Sequence, residues 1–342
     1  MKSNQLNPSK IMQVGMGFWA SKTLLTAVNL NLFTHLAASE MSGKEIQNKL
    51  KLHNRSLYDF LDTLVALGFL NRTGLKETAR YSNASDTNLF LDKNKPQYMG
   101  GILEMANNRM YPFWNDLETG LKTGEPQNEA KNNEASMFEV IYADPLRLKE
   151  FIFAMGGIQI GNFIAFSKTF DFSNHITLCD IGGAGAHLSA QVAMNNSHMD
   201  CISFDLPLVA PVATEIIKSM KLSDRVSIAS GDFFEDDFPK ADIITMGNIL
   251  HDWGRSEKKI LIKKAYDALP KGGKLVIIEN IIDDDRRLNA FGLMMSLNMM
   301  IETDEGYDFS KADFDEITSE IGFLSTEIMP LTGPTSAVIA TK

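Results

Sequence analysis

A chain of 342 residues, 44% apolar and 22% charged, has room for one large or two ordinary domains with a full core, in the manner of a soluble globular protein. A net charge of −10 argues against a surface built to track phosphate backbones. Its two cysteines, Cys179 and Cys201, sit inside apolar runs and are expected as buried reduced thiols, which points to a cytoplasmic address rather than to a disulfide or a metal pair.

The first ten residues, MKSNQLNPSK, are polar, and the apolar run after them is broken by Ser21, Lys22 and Asn29. Neither a signal peptide nor a membrane span is expected there. From 11 to 37 the apolar positions fall at helical spacing, with Phe18, Leu25, Val28, Leu32 and Leu36 near one face of a long first helix. Ser42, with Glu45 three residues on, predicts a capping-box helix start, and Asn54 opens a further helix over RSLYDFLDTLVALGFL. Arg80-Tyr81-Ser82 reads as a wing strand, so residues 1–99 spell a winged-helix-like domain. A winged helix commonly reads DNA. Here the helix in the reading position carries Asp59 and Asp62 beside Arg55, charges that would face phosphates, so packing is the better role. The long first helix carries more apolar surface than a small domain covers, which calls for a partner subunit and hence a homodimer.

Residues 100–172 read as a helical bridge punctuated by Pro112, Pro126 and Pro145, with an exposed polar loop over 128–134. From 173 onward apolar runs at 176–181, 200–205, 225–230, 241–246 and 274–279 alternate with helical stretches, the pattern of an α/β doubly wound parallel sheet. The end differs. Residues 322–342 read as two strands around a Gly-Pro turn, an antiparallel hairpin that suits a methyltransferase-type sheet better than a dinucleotide one.

In open parallel sheets a ligand lies over the carboxyl ends of the strands. Those ends read Asp180-Ile181-Gly182-Gly183, Asp205-Leu206-Pro207, Gly231-Asp232-Phe233-Phe234, Met246-Gly247-Asn248 and Glu279-Asn280. A small-residue turn ahead of a helix allows close backbone approach, and an acid closing the second strand can hold a ribose. Leu188 stands where a dinucleotide turn needs its third glycine. S-adenosylmethionine, which has no phosphate, is the better occupant, with Asp205 on its ribose and Asp232 and Phe233 on its adenine. Taken alone, Asp205 and Asp232 would equally serve as caps of the following helices.

The series Asp180-Ile181-Gly182-Gly183, FDLP, GDFF, ILHDW and PKGGKLVIIEN resembles the small-molecule O-methyltransferases of the caffeic acid and acetylserotonin (hydroxyindole) type, over nearly the whole chain and with GMGFWASKTLLTAV as in bacterial members. The resemblance implies a winged-helix-like dimerisation domain before a class I methyltransferase domain. It implies a nucleoside held by the residues matching Asp205, Asp232 and Phe233, and a general base at His251. The candidate cofactor residues are Asp180, Gly182, Gly183, Asp205, Leu206, Asp232, Phe233, Gly247 and Trp253. Alanines 184 and 186 depart from a glycine turn of the form D-x-G-G-G-x-G; they are expected at ordinary negative φ. Gly247 stands where plant members carry a lysine.

Methyl transfer from a sulfonium to a hydroxyl needs an aligned acceptor and removal of its proton, work suited to an imidazole of ordinary pKa near about 6.5. Without the strand ends around it, His251 would read as a loop histidine followed by an N-cap, Asp252. The resemblance gives Glu279 as one carboxylate orienting the base. The second, a glutamate of a G-K-E-R-T motif, is replaced by Gly306-Tyr307-Asp308-Phe309-Ser310, so Asp308 is the candidate and the motif's basic residues are gone. Two helical stretches are candidates for the acceptor pocket, through Phe151, Met155 and Gln159 and through Met295, Met299 and Thr303. They imply a planar, largely apolar small molecule. No metal is expected. The rival chemistry on the same fold is methylation of nitrogen or sulfur, or another use of the cofactor.

Overall fold

The computed structural model describes residues 6–95, 97–129, 131 and 142–342. The chain divides into two compact units, Met1–Pro112 and Phe113–Lys342.

In the first unit the expected long helix is three short ones, Ser9–Gly15, Gly17–Asn29 and Leu32–Ala38. The breaks fall at Met16, between two glycines, and at Asn31, whose φ of 55° is left-handed and ends a helix. Leu25, Val28, Leu32 and Leu36 are buried as the spacing predicts, but Phe18 faces outward. Ser42 and Glu45 form the capping box: the Ser42 amide donates to Glu45 Oε2 (2.7 Å) and the Glu45 amide donates to Ser42 Oγ (3.3 Å). Three short strands, β1 (Met41–Ser42), β2 (Leu70–Thr73) and β3 (Arg80–Asn83), pair antiparallel in the order β1-β3-β2 and make the wing. Asp62 is engaged within the unit, accepting from the Tyr81 hydroxyl at 2.8 Å and pairing with Arg72 at 2.7 Å.

The second unit is built on seven strands: β4 (Thr177–Ile181), β5 (Asp200–Asp205), β6 (Val226–Ser230), β7 (Ile243–Gly247), β8 (Lys274–Glu279), β9 (Ser325–Pro330) and β10 (Ser336–Thr341). Their order is β6-β5-β4-β7-β8-β10-β9. All neighbours are parallel except β10, which runs antiparallel to both β8 and β9. The predicted α/β sheet and closing hairpin are both present. Side chains alternate across the sheet. Cys179, Ile244, Met246, Leu275 and Ile277 meet Leu261, Ile262, Phe314 and Ile317 on one face. Leu178, Ile243, Val276 and Ile278 meet Phe166, Leu188, Val192 and Ile217 on the other. Helices cover both faces, so the central strands read as near-continuous apolar runs. Cys179 and Cys201 are free and buried in this core.

The strand order reverses at β4, which leaves a crevice over the carboxyl ends of β4, β5 and β7. Helix Pro145–Thr169, started by Pro145 and capped by Asp144 Oδ1 on the Leu146 amide (2.9 Å), packs on helix His187–Asn195 just behind the glycine turn. It is the one described helix long and apolar enough to cross a membrane, and 44% of its most apolar window is buried within the protein. The polar loop is not exposed where it starts. Asn128 is buried and donates to the Glu302 carbonyl (2.8 Å) and to its Oε2 (3.0 Å), while the Gln127 amide donates to the Ile301 carbonyl (2.8 Å). A helix end with unpaired carbonyls has claimed these polar residues. Residues 130 and 132–134 of that loop lie outside those described.

Candidate active site

The glycine turn begins with Gly182 at φ +68°, where a Cβ would collide with the Ile249 side chain. Ala184 and Ala186 also hold positive φ, 44° and 57°, which corrects the expectation that they would sit at ordinary values. The turn imposes the left-handed backbone and the alanines bear the strain. Ala184→Gly is expected to raise stability by about 1 kcal/mol, as seen in a denaturant midpoint that moves without a change in slope.

Asp205 closes β5 and turns back to the turn: its Oδ2 accepts from the Ala184 amide (2.8 Å) and its Oδ1 from the Leu206 amide (2.7 Å). Burial raises the Asp205 pKa, offset by these two amides. Asp180 is more deeply placed. Its Oδ1 accepts from the Thr245 hydroxyl (2.7 Å), and burial lifts it to about 7, so it supports the turn from beneath. Asp232 Oδ1 accepts from the Phe234 amide (2.8 Å). Phe233, Phe234 and Trp253 meet edge to face at 4.6–5.9 Å, an aromatic wall joining the end of β6 to the segment after β7. Gly247, where a Cβ would touch the Phe163 ring at 3.4 Å, is followed by Asn248, whose buried Oδ1 has no hydrogen-bond partner. A polar amide oxygen left open at a strand tip, beside two acidic strand ends and an aromatic wall, fits an adenosine well.

His251 lies in a short turn, Leu250–Asp252, and is buried. Its Nδ1 is 3.5 Å from Asp308 Oδ1 and its Nε2 is 3.6 Å from Asp252 Oδ1. Glu279, at the end of β8, aims Oε1 at three successive amides: Ile249 (3.2 Å), Leu250 (2.8 Å) and His251 (3.3 Å). It therefore fixes the turn that carries the imidazole. His251 Nδ1, Glu279 Oε2 and both Asp308 oxygens are buried without hydrogen-bond partners, a set of polar atoms brought together in one buried cluster. His251, Glu279 and Asp308 could each offer one atom to a cation, all within 4.8 Å.

Burial opposes charge on His251, but Asp252 first, then the Asp308 contact and Glu279, outweigh it and push the imidazole up to about 10. Burial pushes Glu279 up to about 7 against the pull of His251, and Asp252 up to about 6. Asp180, Asp252, Glu279 and His251 all bind protons more tightly folded than unfolded, so stability falls as pH rises. The carboxylate part is complete below their ordinary values of 3.8–4.5 and lost by about 7; the histidine part is complete below 6.5 and lost towards about 10. Lys258, held down to about 8 by burial, acts in the opposite sense only above that pH, and His35, His175 and His187, lowered by burial, oppose the trend only below their ordinary 6.5. The cofactor-free protein is expected to melt about 5 °C higher at pH 5.5 than at pH 8.5 in a calorimetric scan. A melting temperature that climbs over that range would contradict the assignment.

Asp308 is carried in by a loop with several anchors. The Ile282 amide donates to the Phe309 carbonyl (3.0 Å), and Ser310 caps helix Lys311–Ile321. The Asp308 amide donates to Ser296 Oγ (3.2 Å) and the Gly306 amide to Thr303 Oγ1 (2.9 Å). Gly306 leaves no room for a side chain against the His251 and Asp252 carbonyls. Thr303, a candidate pocket residue, also donates to the Met299 carbonyl (2.9 Å), so its hydroxyl is turned to the chain. Met299 is buried and Met295 half-buried on helix Ala290–Glu302, which packs against the His251 turn. On helix Pro145–Thr169, Phe151 and Met155 are half-buried, and buried Gln159 accepts from Asn162 (2.8 Å).

Sequence reading missed Ser296, Lys258 and Tyr142. Burial first, then Asp205 and Asp252, raises the Tyr142 pKa, which places its phenol near both carboxylates. Nothing in the local sequence marks Tyr142 or Ser296. Lys258 could have been noticed as a charge on the buried stripe of its helix.

A seven-stranded sheet of this order, with acid-tipped β5 and β6 and an imidazole after β7, defines a class I methyltransferase. The sequence matches the O-methyltransferase domain family over residues 114–324 and the O-methyltransferase dimerisation domain family over residues 12–93. It is 36% identical over 335 residues to the tetracenomycin polyketide synthesis 8-O-methyl transferase TcmO of Streptomyces glaucescens, covering 98% of this chain and 97% of that protein. It is 29% identical over 313 residues to the N,N-dimethyltransferase OxyT of Streptomyces rimosus, covering 92% and 90%. The crystal structure of human N-acetylserotonin methyltransferase in complex with S-adenosylmethionine superposes with a TM-score of 0.89 at 23% identity, covering 100% of this chain and 99% of that one, a likeness of fold. The chain belongs to the O-methyltransferase family and is an S-adenosylmethionine-dependent methyltransferase.

Proposed function

We propose that this enzyme methylates a hydroxyl of a small, planar, largely apolar aromatic molecule, with His251 taking the hydroxyl proton. The observation that carries the reading is the buried imidazole held between Asp308 and Asp252 on a turn fixed by Glu279. The candidates for holding S-adenosylmethionine are Asp180, Gly182, Gly183, Asp205, Leu206, Asp232, Phe233, Gly247 and Trp253. Bound there, the cofactor supplies an electrophilic methyl on a sulfonium, whose positive charge disfavours a proton on a neighbouring imidazole. His251 accepts the proton as the acceptor oxygen becomes nucleophilic, and the flanking carboxylates stabilise the imidazolium that results. Burial keeps water from competing for the methyl. The acceptor pocket is assigned to Phe151, Met155, Gln159, Met295, Met299 and Thr303, whose methionines suit a flat apolar ring. An aromatic acceptor is supported by the likeness to the 3-hydroxy-5-methyl-1-naphthoate 3-O-methyltransferase of Streptomyces sahachiroi, 27% identical over 316 residues.

A second copy of the chain is the proposed partner of the N-terminal unit. Ile11, Val14, Phe18 and Trp19 are exposed together near its start, and that region falls within the dimerisation match. No nucleic acid or membrane partner is included, and the buried free thiols support a cytoplasmic setting. The test is a panel of phenols, amines and thiols assayed for conversion of S-adenosylmethionine to S-adenosylhomocysteine. Turnover confined to hydroxyl compounds is expected; preferential methylation of an amine or thiol would replace this reading by nitrogen or sulfur transfer.

A further inference from the structure

Lys258 is nearly inaccessible, 1% exposed, on helix Arg255–Ala268, whose neighbouring lysines 259 and 263 pair with surface acids. Burying an ammonium costs several kcal/mol, and a lysine on a surface helix ordinarily reaches water. This one turns inward. Its Nζ donates to the Trp253 carbonyl (2.6 Å) and the Tyr307 carbonyl (2.9 Å) and lies 3.3 Å from the centre of the Tyr307 ring. Trp253 follows His251 by two residues and Tyr307 immediately precedes Asp308. The lysine therefore spans the two segments that must stay in register for the imidazole to meet its carboxylate. Among the described residues it makes no direct ion pair. The acids that act on it are Glu279 at the end of β8, Asp308 in the loop, Asp252 in the turn and Asp313 on helix Lys311–Ile321. The loop from Thr303 to Ser310 contains no basic residue of its own.

We propose that Lys258 is a positioning residue for methyl transfer: it clamps the His251 turn to the Asp308 loop and adds a second positive charge, beside the imidazole's, to the surrounding buried carboxylates. This rests on His251 as the proton acceptor, so one readout needs no acceptor at all. In Lys258→Met, which keeps the length but loses donors and charge, the titration of the buried Glu279 and Asp252 carboxyls, followed by NMR with S-adenosylhomocysteine bound, is expected to move up by about one pH unit, because the cation that lowers both is gone. With a hydroxyl acceptor, kcat should fall at least about tenfold, with both KM values within about threefold. A clamp that served stability alone would lower the melting temperature and leave the titration and kcat in place; that result overturns the proposal. Should Lys258→Met fail to bind S-adenosylhomocysteine, Lys258→Gln, which keeps a donor without the charge, carries the same test: an upward-shifted titration supports the proposal and an unshifted one overturns it. A wild-type enzyme that methylates no hydroxyl would count against His251 in hydroxyl transfer, while the NMR titration still decides the part played by Lys258.

Discussion

His251→Ala is expected to lower kcat by about 10²–10⁴-fold, the usual worth of a positioned proton acceptor, while S-adenosylhomocysteine affinity stays within about threefold. The separation follows from the geometry. The side chain faces Asp308 and Asp252, whereas the contacts at the proposed nucleoside end, Asp205 with the Ala184 and Leu206 amides, belong to other strands. Glu279 binds the His251 amide, which alanine retains, so the turn keeps its support. Without the imidazole the hydroxyl proton must leave to water, which a buried site admits poorly. The pH profile is a second reading of the same group. The cluster of acids raises the His251 pKa to about 10 before any sulfonium charge opposes it, so wild-type kcat/KM is expected to climb through pH 7–9, and the alanine variant to lose that climb. A variant retaining more than about a fifth of wild-type turnover would remove His251 from the proton transfer, and a nitrogen acceptor would then be the natural alternative.

The sheet was legible because its strands are buried on both faces. Runs such as those around Leu178 and Ile277 can belong to little else, and the polar residues at their ends therefore stood out. Long-range assembly was legible only in part. Asp308 was a candidate through resemblance alone, and what holds it in place comes from Ser296, Thr303 and Lys258, far apart in the chain and ordinary in local sequence. The Ala184 and Ala186 backbone was misjudged because composition gives a residue's preference, while closure of the β4 turn sets its conformation. The supposed long first helix failed for a related reason: period alone does not register a left-handed residue such as Asn31. Buried Asn128 shows that polar sequence predicts exposure only where no carbonyl is waiting for a donor.

Glu279→Ala and Glu279→Gln are expected to part company in stability and agree in activity. Alanine leaves the buried amides of Ile249, Leu250 and His251 without their acceptor, and the loss should be about 3 kcal/mol, or roughly 6–12 °C in melting temperature for a unit of this size. Glutamine offers a carbonyl oxygen in the same place, so the amides remain satisfied. It also removes a carboxyl group whose charge burial disfavours, and above pH 7 the glutamine variant should melt within about 3 °C of wild type or slightly above it. Neither variant keeps the negative charge that helps hold a proton on His251. Both should lose about tenfold or more in kcat, the alanine variant further because the turn itself loosens. The imidazole titration, measured in the glutamine protein where the fold is secure, should shift down, because a carboxylate that favours the imidazolium is gone. Equal melting temperatures for the two variants would mean that the three amides draw nothing from the carboxylate, and Glu279 would then act on His251 through charge alone.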